Sequence, residues 1–151
     1  MSKKYIEDET FEHIDFSENA LEKADYEKCM FCNCNFSNCD LSCINFIECV
    51  FLECNLSLAI ISQTAFREVQ FKNCKLLGLH FDECNAFLFE VGFDNCTLNL
   101  SSFYKLKLKK TNFKNKLKYI FFPPGWSHDN SSKTSEMLRK EYLENNTLLK
   151  N

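Results

Sequence analysis

Glycine and proline are scarce, at 3 and 2 in 151 residues. Two-residue hairpins lean on glycine, so the scarcity argues against a meander of tight antiparallel turns. No window approaches the eighteen or so apolar residues of a membrane helix. The start, Met1-Ser2-Lys3-Lys4-Tyr5-Ile6-Glu7-Asp8, turns acidic before any apolar stretch of signal-peptide length. A cytoplasmic location is therefore expected, where thiols stay reduced. No glycine-rich phosphate loop and no zinc-protease signature is present. The three histidines, His13, His80 and His128, stand outside any nucleophile motif. Catalysis, a cofactor, a metal and a small-molecule substrate are accordingly not expected.

Phenylalanine and cysteine are abundant instead, at 16 and 10 residues. Their placement has a period of five. Phe11, Phe16, Leu21, Tyr26, Phe31, Phe36, Leu41, Phe46, Phe51, Leu56, Ile61, Phe66, Phe71, Leu76 and Phe81 are all large and apolar. At the chain's 45% apolar content such a run has a chance probability of about one in a hundred thousand. The pattern resumes at Phe93, Leu98, Phe103, Leu108 and Phe113. Period five fits neither a helix nor a strand. It fits a chain that turns a corner every five residues and sends one large side chain inward per side.

Two residues before each centre stands a second inward candidate, usually small: Ala24, Cys29, Cys34, Cys39, Cys49, Cys54, Ala59, Thr64, Val69 and Cys74. The residues between are mostly polar. Cys34-Asn35-Phe36-Ser37-Asn38, Cys39-Asp40-Leu41-Ser42-Cys43 and Cys54-Asn55-Leu56-Ser57-Leu58 resemble the pentapeptide-repeat motif of a small residue, Asp or Asn, Leu or Phe, a polar residue and any residue. The resemblance covers roughly residues 5–115. It implies an all-β, right-handed quadrilateral β-helix with four pentapeptides per coil and about five coils.

A coil of twenty residues predicts interior columns. Phe11, Phe31, Phe51 and Phe71 form one, continued by Phe93 and Phe113 if two residues are inserted within 87–92. The second reads Phe16, Phe36, Leu56, Leu76, Leu98, and the third Leu21, Leu41, Ile61, Phe81, Phe103. The fourth reads Tyr26, Phe46, Phe66, Ala86, Leu108, with Ala86 its weak member. Cys34, Cys54, Cys74 and Cys96 share one column of the small slot. Side chains stacked that way point in one direction and do not close a tetrahedron around zinc, so these thiols are expected to act as small hydrophobes. Cys32 and Cys43 lie outside the inward slots and are the expected reactive thiols.

Charge divides the chain. Residues 1–99 carry 17 Asp and Glu against 7 Lys and Arg, whereas residues 100–151 carry 4 against 11. Such a split points to binding rather than to fold. The sequence is similar to the Qnr-type quinolone-resistance group, and that resemblance implies an acidic rod that mimics duplex DNA and engages DNA gyrase. It differs from that group in having about five coils and no long protruding loop. A structural or scaffolding solenoid with an unknown protein partner is the alternative. Direct nucleic-acid binding is not expected, because lysines such as Lys107 and Lys110 on the last coil suit an edge that must resist strand pairing.

The repeat fails after Phe113. Residues 1–115 are read as the β-helix, and residues 116–151 as a capping or dimerisation tail with a short helix over about 134–145. Phe121, Phe122 and Trp126 are candidate cap residues, and the resemblance implies a homodimer paired through this tail. A truncated or frame-altered ending is the other reading of the same segment.

Overall fold

The structure, a computed structural model, describes residues 3–104, 106–108 and 110–114. The expected tail of residues 116–151, with its helix, cap and dimer contacts, lies outside the described residues. What is described is a parallel β-solenoid of about five turns, built from ten short strands: β1 (Lys4–Glu7), β2 (Thr10–Glu12), β3 (Ala24–Glu27), β4 (Met30–Cys32), β5 (Asn45–Ile47), β6 (Val50–Leu52), β7 (Ala65–Arg67), β8 (Val69–Lys72), β9 (Val91–Asp94) and β10 (Asn112–Lys114). They form two sheets. One runs β1-β3-β5-β7 and the other β10-β9-β8-β6-β4-β2.

Register makes the coil length explicit. Phe11 pairs with Phe31, Phe31 with Phe51, and Phe51 with Phe71, each a step of twenty residues. Phe71 then pairs with Phe93, a step of twenty-two. Asn85 still bridges Ala65 at a step of twenty, while Val91 pairs with Val69 at twenty-two. The two extra residues therefore enter between 86 and 90.

The corners are left-handed. Fifteen non-glycine residues have positive φ, between 52° and 63°, from Asp8 and His13 to Asn95 and Leu100, and Gly78 joins them at 66°. Nearly all follow an inward centre by two positions. Asn33, Asn38, Asn73 and Asn95 suit this region, whereas Leu58, Leu88 and Leu100 bear the steric cost of a Cβ there.

Only two of the four sides carry strands. The other two are held by isolated bridges, such as Asn35 with Asn55 and Asp40 with Ile60, and by turns. On some of the turned sides the motif's Asp or Asn reinforces the turn. Asn35, Asp40 and Asn55 accept the backbone N–H two residues on, at Ser37, Ser42 and Ser57, at 2.9–3.0 Å. These side-chain-capped turns compete with extended pairing. The turns close through Cys39 N–H to Phe36 O and Ala59 N–H to Leu56 O, each at 3.0 Å.

The interior is aromatic. Rings in the first column stack nearly parallel, with centroids 4.9 Å apart for Phe11–Phe31, 4.8 Å for Phe31–Phe51 and 4.9 Å for Phe51–Phe71. Neighbouring columns meet edge to face, as Phe46 and Phe51 do at 5.2 Å and 76°. Both geometries suit the aromatic quadrupole. Phe31, Phe36, Phe51, Phe71, Leu56, Leu76 and Leu98 are wholly buried, and Phe93 and Phe113 nearly so, while Phe11 on the first coil is half-buried. Each fully buried ring or leucine contributes about 1.5–3 kcal/mol relative to exposure.

One interior expectation is corrected. Ala86 does not point inward; it is exposed, and Phe89 is buried in its place. A methyl group cannot fill a space shaped for Phe66 and Leu108, and the two inserted residues let the chain bulge until Phe89 reaches inward. Phe89 meets Phe81 edge to face at 6.2 Å and 72°.

Candidate binding surfaces

Because the interior is occupied by its own side chains, function must lie on the outer faces, the thiols or the ends. The thiols come first. Cys34, Cys54, Cys74 and Cys96 are buried, and each Sγ donates to a carbonyl of the preceding coil: Phe11 O at 3.4 Å, Phe31 O at 3.2 Å, Phe51 O at 3.2 Å and Phe71 O at 3.3 Å. Cys29 and Cys49 do likewise to Ile6 and Tyr26. Burial pushes Cys49 and Cys84 up to about 12. Cys74 is raised by its hydrogen bonds to the flanking thiols of Cys54 and Cys96 and by burial. Cys54 and Cys96 are lowered by their hydrogen bonds with Cys74, but all of these thiols are enclosed, so a reagent in solution does not reach them. Outside the slots, Cys43 is exposed and Cys32 half-buried, and burial also raises Cys32.

Charge is banded along the rod. Of the 17 acidic side chains in residues 5–94, nine fall within residues 7–27, on the first coil and the start of the second. Residues 28–81 carry 4 acidic against 4 basic residues, and residues 82–94 carry 4 against none. The two acidic bands stand three to four coils apart, roughly 14–19 Å at the usual strand spacing. A neutral waist separates them. This banding is visible only once the coil length is known.

Several carboxylates are held in place. Asp15 accepts from Ser17 and from Asn35 Nδ2 at 3.1 Å, and the bonds from Ser17 hold its carboxyl below the usual range. Asp40 is lowered in the same way by Ser42, with Lys23 at 3.3 Å adding to it. Lys4 pairs with Glu22 at 3.0 Å and Lys110 with Glu90 at 3.7 Å. Exposed pairs of this kind contribute little to stability.

Two features escaped the sequence reading. The bulge exposes Phe87 and Leu88, and the Arg67 guanidinium lies 5.5 Å from the Phe87 ring centroid. His80, Asp82 and Glu83 gather on a 3₁₀ turn (Phe81–Glu83) with ligand atoms within 4.8 Å of one another, all three exposed. Their sequence closeness was the available signal, but the turn that groups them was not predictable.

Residues 31–67 and 39–78 match the profile described as pentapeptide repeats, with 8 copies. The chain carries pentapeptide repeats over residues 31–78. Its repeats set the corners, the inward centres and the small slots described above. Solved structures similar to it include full-length QnrB1, a plasmid-mediated fluoroquinolone resistance protein, at 15% identity over 93% of this chain and 98% of that one, with a TM-score of 0.40. A trypsin-treated variant of QnrB1 is 20% identical over 77% of this chain and 68% of that one, with a TM-score of 0.39. The pentapeptide-repeat protein Rfr23 from the cyanobacterium Cyanothece 51142 is 15% identical over 78% and 88%, with a TM-score of 0.29. The fold rests on the strand register and the repeat match rather than on these superpositions. No curated protein sequence matches the chain significantly. Among the described residues, no helix is long and apolar enough to cross a membrane.

Proposed function

We propose that this pentapeptide-repeat protein is a non-catalytic binding rod whose outward carboxylates imitate the charge of duplex DNA toward a DNA-binding protein, with DNA gyrase the leading candidate. The carrying observation is the placement of 17 acidic against 5 basic side chains in residues 5–94, arranged in bands on a stiff rod whose core is its own stacked rings. A fixed scaffold presents such charges without the ordering cost that a flexible acidic segment bears on binding. Complementary charge then raises the rate of encounter with a cationic surface.

The test is a gyrase supercoiling assay with and without a quinolone. Inhibition of supercoiling or relief of quinolone inhibition at micromolar protein is expected. Neither effect at that concentration removes gyrase as the partner. Lowered affinity at raised salt is expected for any partner bound through these bands.

A further inference from the structure

A sheet that packs one face on the core ordinarily carries polar residues on the other. The six-stranded sheet departs from that rule at one place. Each of its strands turns a central residue inward and the residues on either side of it outward. Strand register aligns the outward residues into two columns, Thr10–Met30–Val50–Gln70 and Glu12–Cys32–Leu52–Lys72. Both columns read polar, apolar, apolar, polar. Met30 is 40% exposed, and Cys32, Val50 and Leu52 are half-buried. Glu12 and Lys72, at opposite ends of the second column, are exposed. The ion pairs among the described residues include neither of them.

We propose that this face binds a second copy of the chain, the two rods lying sheet to sheet and antiparallel. The columns are self-complementary under a half-turn, as a twofold interface requires. An axis passing between β4 and β6 sets Met30 against Val50, Cys32 against Leu52 and Glu12 against Lys72 of the facing copy. Each contact then occurs twice. Lys28 and Glu48, exposed at the corners ahead of β4 and β6, meet across the same axis. Asp8 and Glu68 meet one coil further out, and that like-charge pair weakens the association. Parallel rods would set Glu12 against Thr10 and Lys72 against Gln70, leaving both charges unmatched, so charge selects the antiparallel arrangement. Four coils stand roughly 19 Å tall. One side of the rod over that height is smaller than the roughly 800 Å² per partner of a standard interface, so the dimer is a weak one. The inference rests neither on DNA mimicry nor on residues 116–151.

Sedimentation of the full chain tests this through its mass. One chain is expected at roughly 1 micromolar, rising toward two at roughly 500 micromolar. Leu52→Glu changes an outward side chain and should hold the mass at one chain throughout, with the circular dichroism of the native rod. Glu12→Lys or Lys72→Glu alone should weaken the dimer roughly tenfold, since each makes two like-charge pairs. The double variant should return to within roughly threefold of the native chain. That rescue is specific to the antiparallel arrangement, because the two residues stand three coils apart within one rod. Glu83→Lys, on a different side, should change nothing. The charge variants leave the apolar face intact, so they decide the matter even where Leu52→Glu fails to fold. A single chain at roughly 500 micromolar would overturn the proposal. So would a dimer indifferent to a folded Leu52→Glu variant, or a double variant no tighter than the single ones. None of those results bears on the gyrase assay.

Discussion

The first coil and the middle coils are built from the same five-residue rule, yet they differ in everything that rule leaves open. In the middle coils Phe31, Phe36, Phe46, Phe51, Phe66 and Phe71 are fully buried between neighbouring coils, and the surface charge is balanced. In the first coil Phe11, Ile6 and Ile14 are half-covered and nine carboxylates crowd residues 7–27. Stability in a stacked solenoid comes from each coil's neighbours. The comparison teaches that the waist supplies most of the packing among the described coils, while the acidic first coil supplies less.

Mutation of one column at two heights should expose that contrast. Phe51→Ala leaves a cavity between Phe31 and Phe71 and should cost about 3–5 kcal/mol by denaturant unfolding. Phe11→Ala, at the open end of the same column, should cost about 1–2 kcal/mol, since much of the ring is already in water. Equal losses would show that the first coil is covered. The bulge offers a sharper case. Deleting Phe87 and Leu88 restores a perfect period, but it returns the inward place from Phe89 to Ala86 and should cost about 2–4 kcal/mol. Stabilisation by that deletion would mean that Phe89 contributes nothing to the core.

The thiols divide the regions by pH. Cys49 and Cys84 are raised by burial to about 12 from an ordinary value near 9. Below the unfolded value both states hold the proton, and the contribution to stability is full. Between pH 9 and 12 the unfolded chain loses protons that the folded chain keeps, so stability should fall steadily with rising pH. In native protein a small disulfide reagent at pH 8 should modify Cys43 first and Cys32 more slowly, with the column thiols reacting only on unfolding. Rapid reaction of Cys54 or Cys74 would contradict the enclosed column. The smallest effect belongs to a corner. Leu100, at φ 60° and 74% exposed, should gain about 0.5–1 kcal/mol on replacement by asparagine, read as a rise in the denaturation midpoint.

Much of this architecture was legible because an interior column demands a large apolar residue at a fixed interval, and Phe31, Phe51 and Phe71 meet that demand without exception. The step to Phe93 located the insertion before any coordinates did. Ala86 misled, because period alone cannot reveal that a bulge lets a residue three positions on turn inward. The split between sheeted and turned sides was hidden too, because an Asn or Asp ahead of the centre occurs on both, as Asn45 in β5 and Asn55 at a turn show. Of the surface, the excess of acid was plain. Its division into two bands around a neutral waist emerged only when positions were folded onto twenty-residue coils. The exposed Phe87 and Leu88 were read as a short insertion and not as a surface feature.

Everything rests on successive coils laying their centres one above another. A crystal structure of the full chain measures this most directly. It should show the rings of Phe31, Phe51 and Phe71 stacked face to face about 5 Å apart, with Phe89 rather than Ala86 beneath Leu108. Rings dispersed from one another, or turned toward solvent, would contradict the stacked-coil account and with it the placement of both acidic bands.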